Sequence, residues 1–104
     1  MLKKKYSEKT NNYYVTFQLN PEVNAETAYV CGEFNDWDKE KSKMRQLKNG
    51  GFTATLQLDP GKTYRFRYWV NGDRWENDWE ADGYAPNEFG SEDSLVVVDD
   101  APGG

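Results

Sequence analysis

The stretch Tyr64-Arg65-Phe66-Arg67-Tyr68-Trp69-Val70-Asn71-Gly72-Asp73-Arg74-Trp75 decides how the chain reads. Successive side chains of an extended strand point to opposite faces, so Tyr64, Phe66, Tyr68 and Val70 share one side and Arg65, Arg67 and Trp69 the other. The first side belongs to a core. The second brings cations and a ring together, and Asn71-Gly72 is a hairpin signal after which a further indole, Trp75, follows at the surface. Cations and aromatic rings on one outward face are the makings of a binding surface.

Upstream, Asp59-Pro60-Gly61-Lys62 is a turn in which Pro presets one angle and Gly supplies a positive φ. It is preceded by a strand over Phe52 to Leu58 with Phe52, Ala54, Leu56 and Leu58 inward. Asn49-Gly50-Gly51 is a second hairpin signal, with Met44 and Leu47 framing a short strand before it. Tyr13 to Leu19 alternates Val15, Phe17 and Leu19 against Tyr14, Thr16 and Gln18, and Asn20-Pro21 ends it. Thr27 to Gly32 sets Ala28 and Val30 against Tyr29 and Cys31. Between these strands, Glu33 to Arg45 is a charged, exposed loop with Phe34 as its apolar anchor and room for one helical turn. Downstream, Glu76 to Asp93 is a long acidic loop anchored by Trp79, Tyr84, Pro86 and Phe89, and expected to cover Trp69. Leu95 to Val98 is the last strand.

Short strands at regular spacing, turn signals between them and no amphipathic helix describe an all-β antiparallel β-sandwich of about seven strands, with a small barrel as the alternative. The expected core is Val15, Phe17, Val30, Phe52, Leu56, Phe66, Tyr68 and Val97. Residues 1–12, lysine-rich and without periodicity, read as a flexible arm; 13–98 form the sandwich and 99–104 a disordered tail.

The chain of 104 residues is sized for one domain, and its net charge of −5 opposes phosphate neutralisation, hence nucleic-acid binding. Four Trp within 15% aromatic content exceed what so small a core encloses, which leaves rings at the surface. The single Cys31 closes no intrachain disulfide and reads as a small buried thiol. No apolar run reaches the roughly 20 residues of a membrane span, and Met1 to Lys5 has no secretory pattern behind it, so a cytoplasmic location without membrane partners is expected. There is no His, which removes the Ser-His and Cys-His pairs and most zinc sites. Carboxylates are plentiful at Glu33, Asp36, Asp38, Asp78, Glu80 and Asp82, but an acidic loop is ordinarily solvated surface rather than a paired acid and base. Neither acidic loop has calcium-loop spacing, and no Gly-rich phosphate loop is present; the expectation is a non-enzyme without cofactor or metal.

Three segments then carry a resemblance: Val30-Cys31-Gly32-Glu33-Phe34-Asn35-Asp36-Trp37, Tyr64 to Gly72, and Asn87-Glu88-Phe89-Gly90-Ser91-Glu92-Asp93-Ser94. In order and spacing, from about Tyr13 to Val98, they resemble the family 48 carbohydrate-binding modules, or isoamylase N-terminal (early-set) domains, and the glycogen-binding domain of the AMP-activated kinase β subunit. The resemblance implies an immunoglobulin-like sandwich that binds α-1,4-linked glucan such as glycogen, starch or maltooligosaccharides. A glycogen- or starch-metabolising enzyme is the implied protein partner. It also implies sugar contacts at Trp37, Trp75 and Arg67, the last standing where the family has Lys, and at Asp93, which stands where the family has Asn. Two separated, non-coplanar rings would then meet successive glucoses. The alternative is an early-set sandwich used as a protein-interaction scaffold, with both rings as packing elements.

Overall fold

The computed structural model describes residues 2–102 and is an immunoglobulin-like antiparallel β-sandwich with no α-helix among them. In chain order the strands are β1 (Lys3–Ser7), β2 (Asn12–Leu19), β3 (Ala28–Gly32), β4 (Arg45–Gln46), β5 (Phe52–Leu58), β6 (Lys62–Val70), β7 (Arg74–Glu76), β8 (Gly83–Pro86) and β9 (Glu92–Val98). One sheet runs β1-β2-β5-β4 and the other β3-β6-β9-β8. β9 pairs with the first half of β6 and β7 with its last three residues.

β6 behaves as its alternation requires: Phe66, Tyr68 and Val70 are buried while Arg65, Arg67 and Trp69 are partly exposed on the opposite face. Phe66 packs edge-on against Phe17 of the facing sheet at 5.0 Å and against Tyr68 at 5.6 Å. Rings so arranged contribute about 1 kcal/mol per pair beyond the area they remove from water. Val15, Val30 and Phe52 join them as expected, and Leu56 packs against the cluster partly buried.

Val97 is the exception in the expected core: it is 39% exposed, and Val96 and Val98 are buried instead. The run Leu95 to Val98 has no alternation of its own, so its facing is set by partners. Tyr64 pairs with Val96 and Phe66 with Ser94, which turns the even-numbered residues of β9 inward.

The lysine-rich arm expected over residues 1–12 is also corrected, because Lys3–Ser7 pairs along β2 from Lys3↔Thr16 to Ser7↔Asn12. Leu2 is buried, Tyr6 packs on Tyr13 at 5.3 Å, and the Lys4 ammonium reaches the Asp82 carboxylate at 2.6 Å. Lysines are what an outer strand tolerates, since their charge discourages further strands from pairing there. In the tail, the Asp100 carbonyl accepts a hydrogen bond from the Tyr13 hydroxyl; Gly103 and Gly104 lie outside the described residues.

β8 interrupts the acidic segment expected to be irregular. Gly83-Tyr84-Ala85-Pro86 has no apolar alternation and ends in Pro, which only an outer strand accommodates; β9 supplies its pairing. The rings expected to anchor this segment face solvent instead: Trp79 is 52% exposed and Phe89 85%, with Tyr84 and Pro86 exposed as well. What holds the segment is polar. Asp78, buried, accepts from the Tyr68 hydroxyl at 2.7 Å, its N–H donates to Ser94 Oγ at 2.9 Å, and its carbonyl accepts from the Tyr84 hydroxyl. Burial and the neighbouring carboxylate hold the Tyr68 hydroxyl protonated well above the ordinary tyrosine range.

Candidate functional site

The site begins at Gly32, the last residue of β3. A Cβ there would sit 2.5 Å from the Arg65 carbonyl oxygen and 2.8 Å from the Phe34 ring, so no side chain fits. That close approach lets the chain turn sharply through a short 3-10 turn, Glu33–Asn35. Phe34 anchors the turn on Phe17 and Tyr64, and Glu33 accepts the Arg65 N–H at 2.7 Å. Buried Asn35 ties it from within: its carbonyl oxygen accepts from Gly32 N–H, and its amide donates to the Val30 carbonyl and Ser42 Oγ.

Immediately afterwards Asp36 and Trp37 take φ of 57° and 58°, a left-handed conformation that Asp adopts readily but that is uncommon for a residue as bulky as Trp, where it costs about 1 to 2 kcal/mol. The turn holds them there through Trp37 N–H to the Gly32 carbonyl at 2.9 Å. The result is an indole aimed out of the loop towards the outer face of β6.

The β6–β7 hairpin delivers the second indole. Asn71 and Gly72 both have positive φ, and Asp73 N–H reaches the Val70 carbonyl at 3.1 Å, the type I′ geometry that Asn-Gly favours. Asn71 also accepts from the Glu26 and Thr27 N–H groups, fixing the hairpin to the chain entering β3. Arg74 pairs with Val70, and Trp75 therefore lies directly across from Trp69. Their rings pack at 4.7 Å. Trp69 is thus covered by Trp75 and by the Lys39 ammonium, 3.9 Å above its ring, rather than by the acidic loop as expected.

Trp37 and Trp75 meet at 84° with centroids 6.3 Å apart. They are non-coplanar, as expected, but adjoining rather than separated. They line a groove of about 820 Å³ with Arg67, Arg65, Phe89 and Asp93. The Arg67 guanidinium lies 5.9 Å from the Trp75 ring; its Nε is shielded from solvent and has no protein partner among the described residues. Asp93 is 6% exposed, and each carboxylate oxygen already accepts from a neighbour, Asn87 Nδ2 at 3.1 Å and Arg65 Nη1 at 3.3 Å. Opposite the indoles stands the β8–β9 loop, in which Asn87 Oδ1 accepts from the Phe89 and Ser91 N–H groups and leaves the Phe89 ring in solvent.

The structure therefore brings Trp37, Arg67, Trp75 and Asp93 to one groove, the Asp as part of a buried wall. Sequence reading missed Lys39, because one lysine in a charged run has no distinguishing signal. It also misassigned Phe89, whose flanking Asn87 and Gly90 mark a tight exposed loop tip. Beneath the Trp37 loop, Cys31 Sγ lies 3.2 Å from the Asp38 carbonyl, and burial first, then Asp38, push its pKa from 9.0 to about 11.

The fold and site together define a β-sandwich module with two bent indoles, and an arginine whose Nε has no partner among the described residues, over an open groove. Residues 13–101 match the family described as the glycogen recognition site of AMP-activated protein kinase, and the chain belongs to that family. The 5'-AMP-activated protein kinase subunit beta of Schizosaccharomyces pombe is 45% identical over 47 residues, 45% of this chain and 14% of that protein. Protein PTST homolog 2, chloroplastic, of Arabidopsis thaliana is 30% identical over 76 residues, 71% of this chain and 13% of that protein. The chain thus spans a small part of each relative's length.

Proposed function

We propose that the domain binds α-1,4-linked glucan without acting on it, and that Trp37 and Trp75 carry the binding. The observation behind this reading is the bent indole pair over the groove. One face of a glucose ring is a patch of C–H groups, and an indole lying against it removes apolar area from water. A helical α-glucan turns its sugar faces from one residue to the next, so two rings near a right angle suit neighbouring glucoses. Arg67 supplies N–H donors for hydroxyls, while Asp93 holds Arg65 and Asn87 in the wall. Phe89 adds apolar surface at the opposite rim.

Each stacked ring contributes on the order of 1 kcal/mol at about 25 cal/mol per Å². After the cost of ordering a flexible sugar, the dissociation constant for a short oligosaccharide falls between roughly tens of micromolar and millimolar. A weak, non-catalytic module of this kind serves to bring an attached or associated glucan-metabolising enzyme to its polymer, and we assign it to a reducing compartment such as the cytoplasm. The test is electrophoresis through a native gel containing amylopectin or glycogen. Retardation of the wild type and its loss in Trp75→Ala supports the reading; migration unaffected by polysaccharide overturns it in favour of a protein scaffold.

A further inference from the structure

We propose a second sugar-binding site centred on Trp79, separate from the groove of Trp37 and Trp75. Trp79 stands at the side of the sandwich over a depression of about 170 Å³ lined by Gln18, Asn20, Pro21, Leu47 and Asn49, none of which borders the first groove.

A ring 52% exposed costs solvation free energy that a folded domain ordinarily avoids by burying it. This ring is also held on an immobile base. Asp78 before it is fixed by Tyr68, Ser94 and Tyr84, and the Asp78 carboxylate also accepts the Glu80 N–H at 2.8 Å. An aromatic plane presented in solvent from a pinned backbone loses little further freedom when a ligand stacks on it.

The polar groups around the ring determine the ligand class. Asn20 Oδ1 is occupied by the Glu22 N–H at 2.8 Å and Asn49 Oδ1 by the Gly51 N–H at 2.9 Å. Each amide is thereby oriented with its NH2 left to donate, and the Gln18 side chain has no protein partner among the described residues. Asp78 and Glu80 also line the depression, so an anion would meet carboxylates and no cation among the described residues there. Amide donors and acidic residues beside an indole match a neutral ring whose hydroxyls both accept and donate, whereas an apolar peptide would leave the amides unpaired. The space suits one sugar residue. That the sugar is glucose rests on the reading of the first groove; the site's position does not. Two weak sites on one domain give a branched polymer a second point of attachment and raise its retention beyond that of a short oligosaccharide.

The experiment is an NMR titration of the wild type with maltotriose, following the four indole N–H signals and the side-chain amides of Asn20 and Asn49, with retention on amylopectin measured for Trp79→Ala. The expected result is shifts at Trp79 and both amides in addition to Trp37 and Trp75, with retention reduced severalfold in the variant. Shifts at Trp37 and Trp75 without any at Trp79 overturn the second site and leave the first. Shifts at Trp79 alone support the second and overturn the first, and no shifts anywhere overturn both.

Discussion

The indole of Trp37 stands edge-on to that of Trp75, at 84° and 6.3 Å, although Trp37 comes from the turn after β3 and Trp75 from strand β7. Trp75 is supported from below by Trp69 across the hairpin, whereas Trp37 is held by its own backbone. The two rings should therefore respond differently to removal.

Trp37→Gly separates binding from folding. Glycine relieves the left-handed backbone by about 1 kcal/mol, offsetting the lost ring contacts. The expected outcome is a thermal midpoint close to wild type and retention on amylopectin weakened about tenfold or more, equivalent to about 1.4 kcal/mol. A variant that unfolds, or binds as before, makes Trp37 a packing residue.

Trp75→Ala should lower both. It uncovers Trp69 and removes a ring pair, which costs about 2 kcal/mol of stability for a partly buried site. Calorimetry at neutral pH checks the midpoint and the same gel checks retention; an unchanged midpoint would contradict the stacking on Trp69.

Arg67→Met keeps the apolar stem and removes the guanidinium. Binding should weaken about threefold to tenfold, less than for either Trp, because water can replace part of an arginine's hydrogen bonding. Stability should hold or rise, since the shielded Nε has no partner to lose. A clear fall in midpoint would mean that the guanidinium is structural.

Gly32→Ala should destabilise the domain by about 3 kcal/mol, because a Cβ 2.5 Å from the Arg65 carbonyl forces β3 and β6 apart. Urea denaturation measures this, and wild-type stability in the variant would refute the close approach.

Alkaline pH should unfold the domain earlier than its charge alone dictates. The unfolded chain releases the Cys31 proton near 9.0, while the folded chain keeps it to about 11. The neutral thiol's stabilisation is therefore fully present below pH 9.0 and lost as pH rises towards about 11, with Tyr68 adding a loss in the same direction. Thermal midpoints across that window, with Cys31→Ala showing a shallower fall than wild type, check the sign and the assignment.

The sequence was most legible where one face of a strand is buried and the other is not. β6 announces itself because Phe66, Tyr68 and Val70 alternate with Arg and Trp, and β2 does so for the same reason. β9 misleads because four apolar residues in succession leave the inward choice to pairing with β6. β1 escapes notice because lysines on an outer strand look like lysines on a free arm. At the site, the indoles and Arg67 could be found from motif and alternation. The meeting of Trp37 with Trp75 and the approach of Lys39 to Trp69 depend on contacts between distant loops, which no local spacing records.

β6 also makes residue number itself diagnostic. Even positions from 66 to 70 face the core and odd positions from 65 to 69 face the groove or its supporting wall. A substitution scan along this strand should consequently give two interleaved records, with melting temperature dipping at the even positions and the strongest sugar effect at Arg67. The parity of a position thus tells in advance which instrument will register its loss.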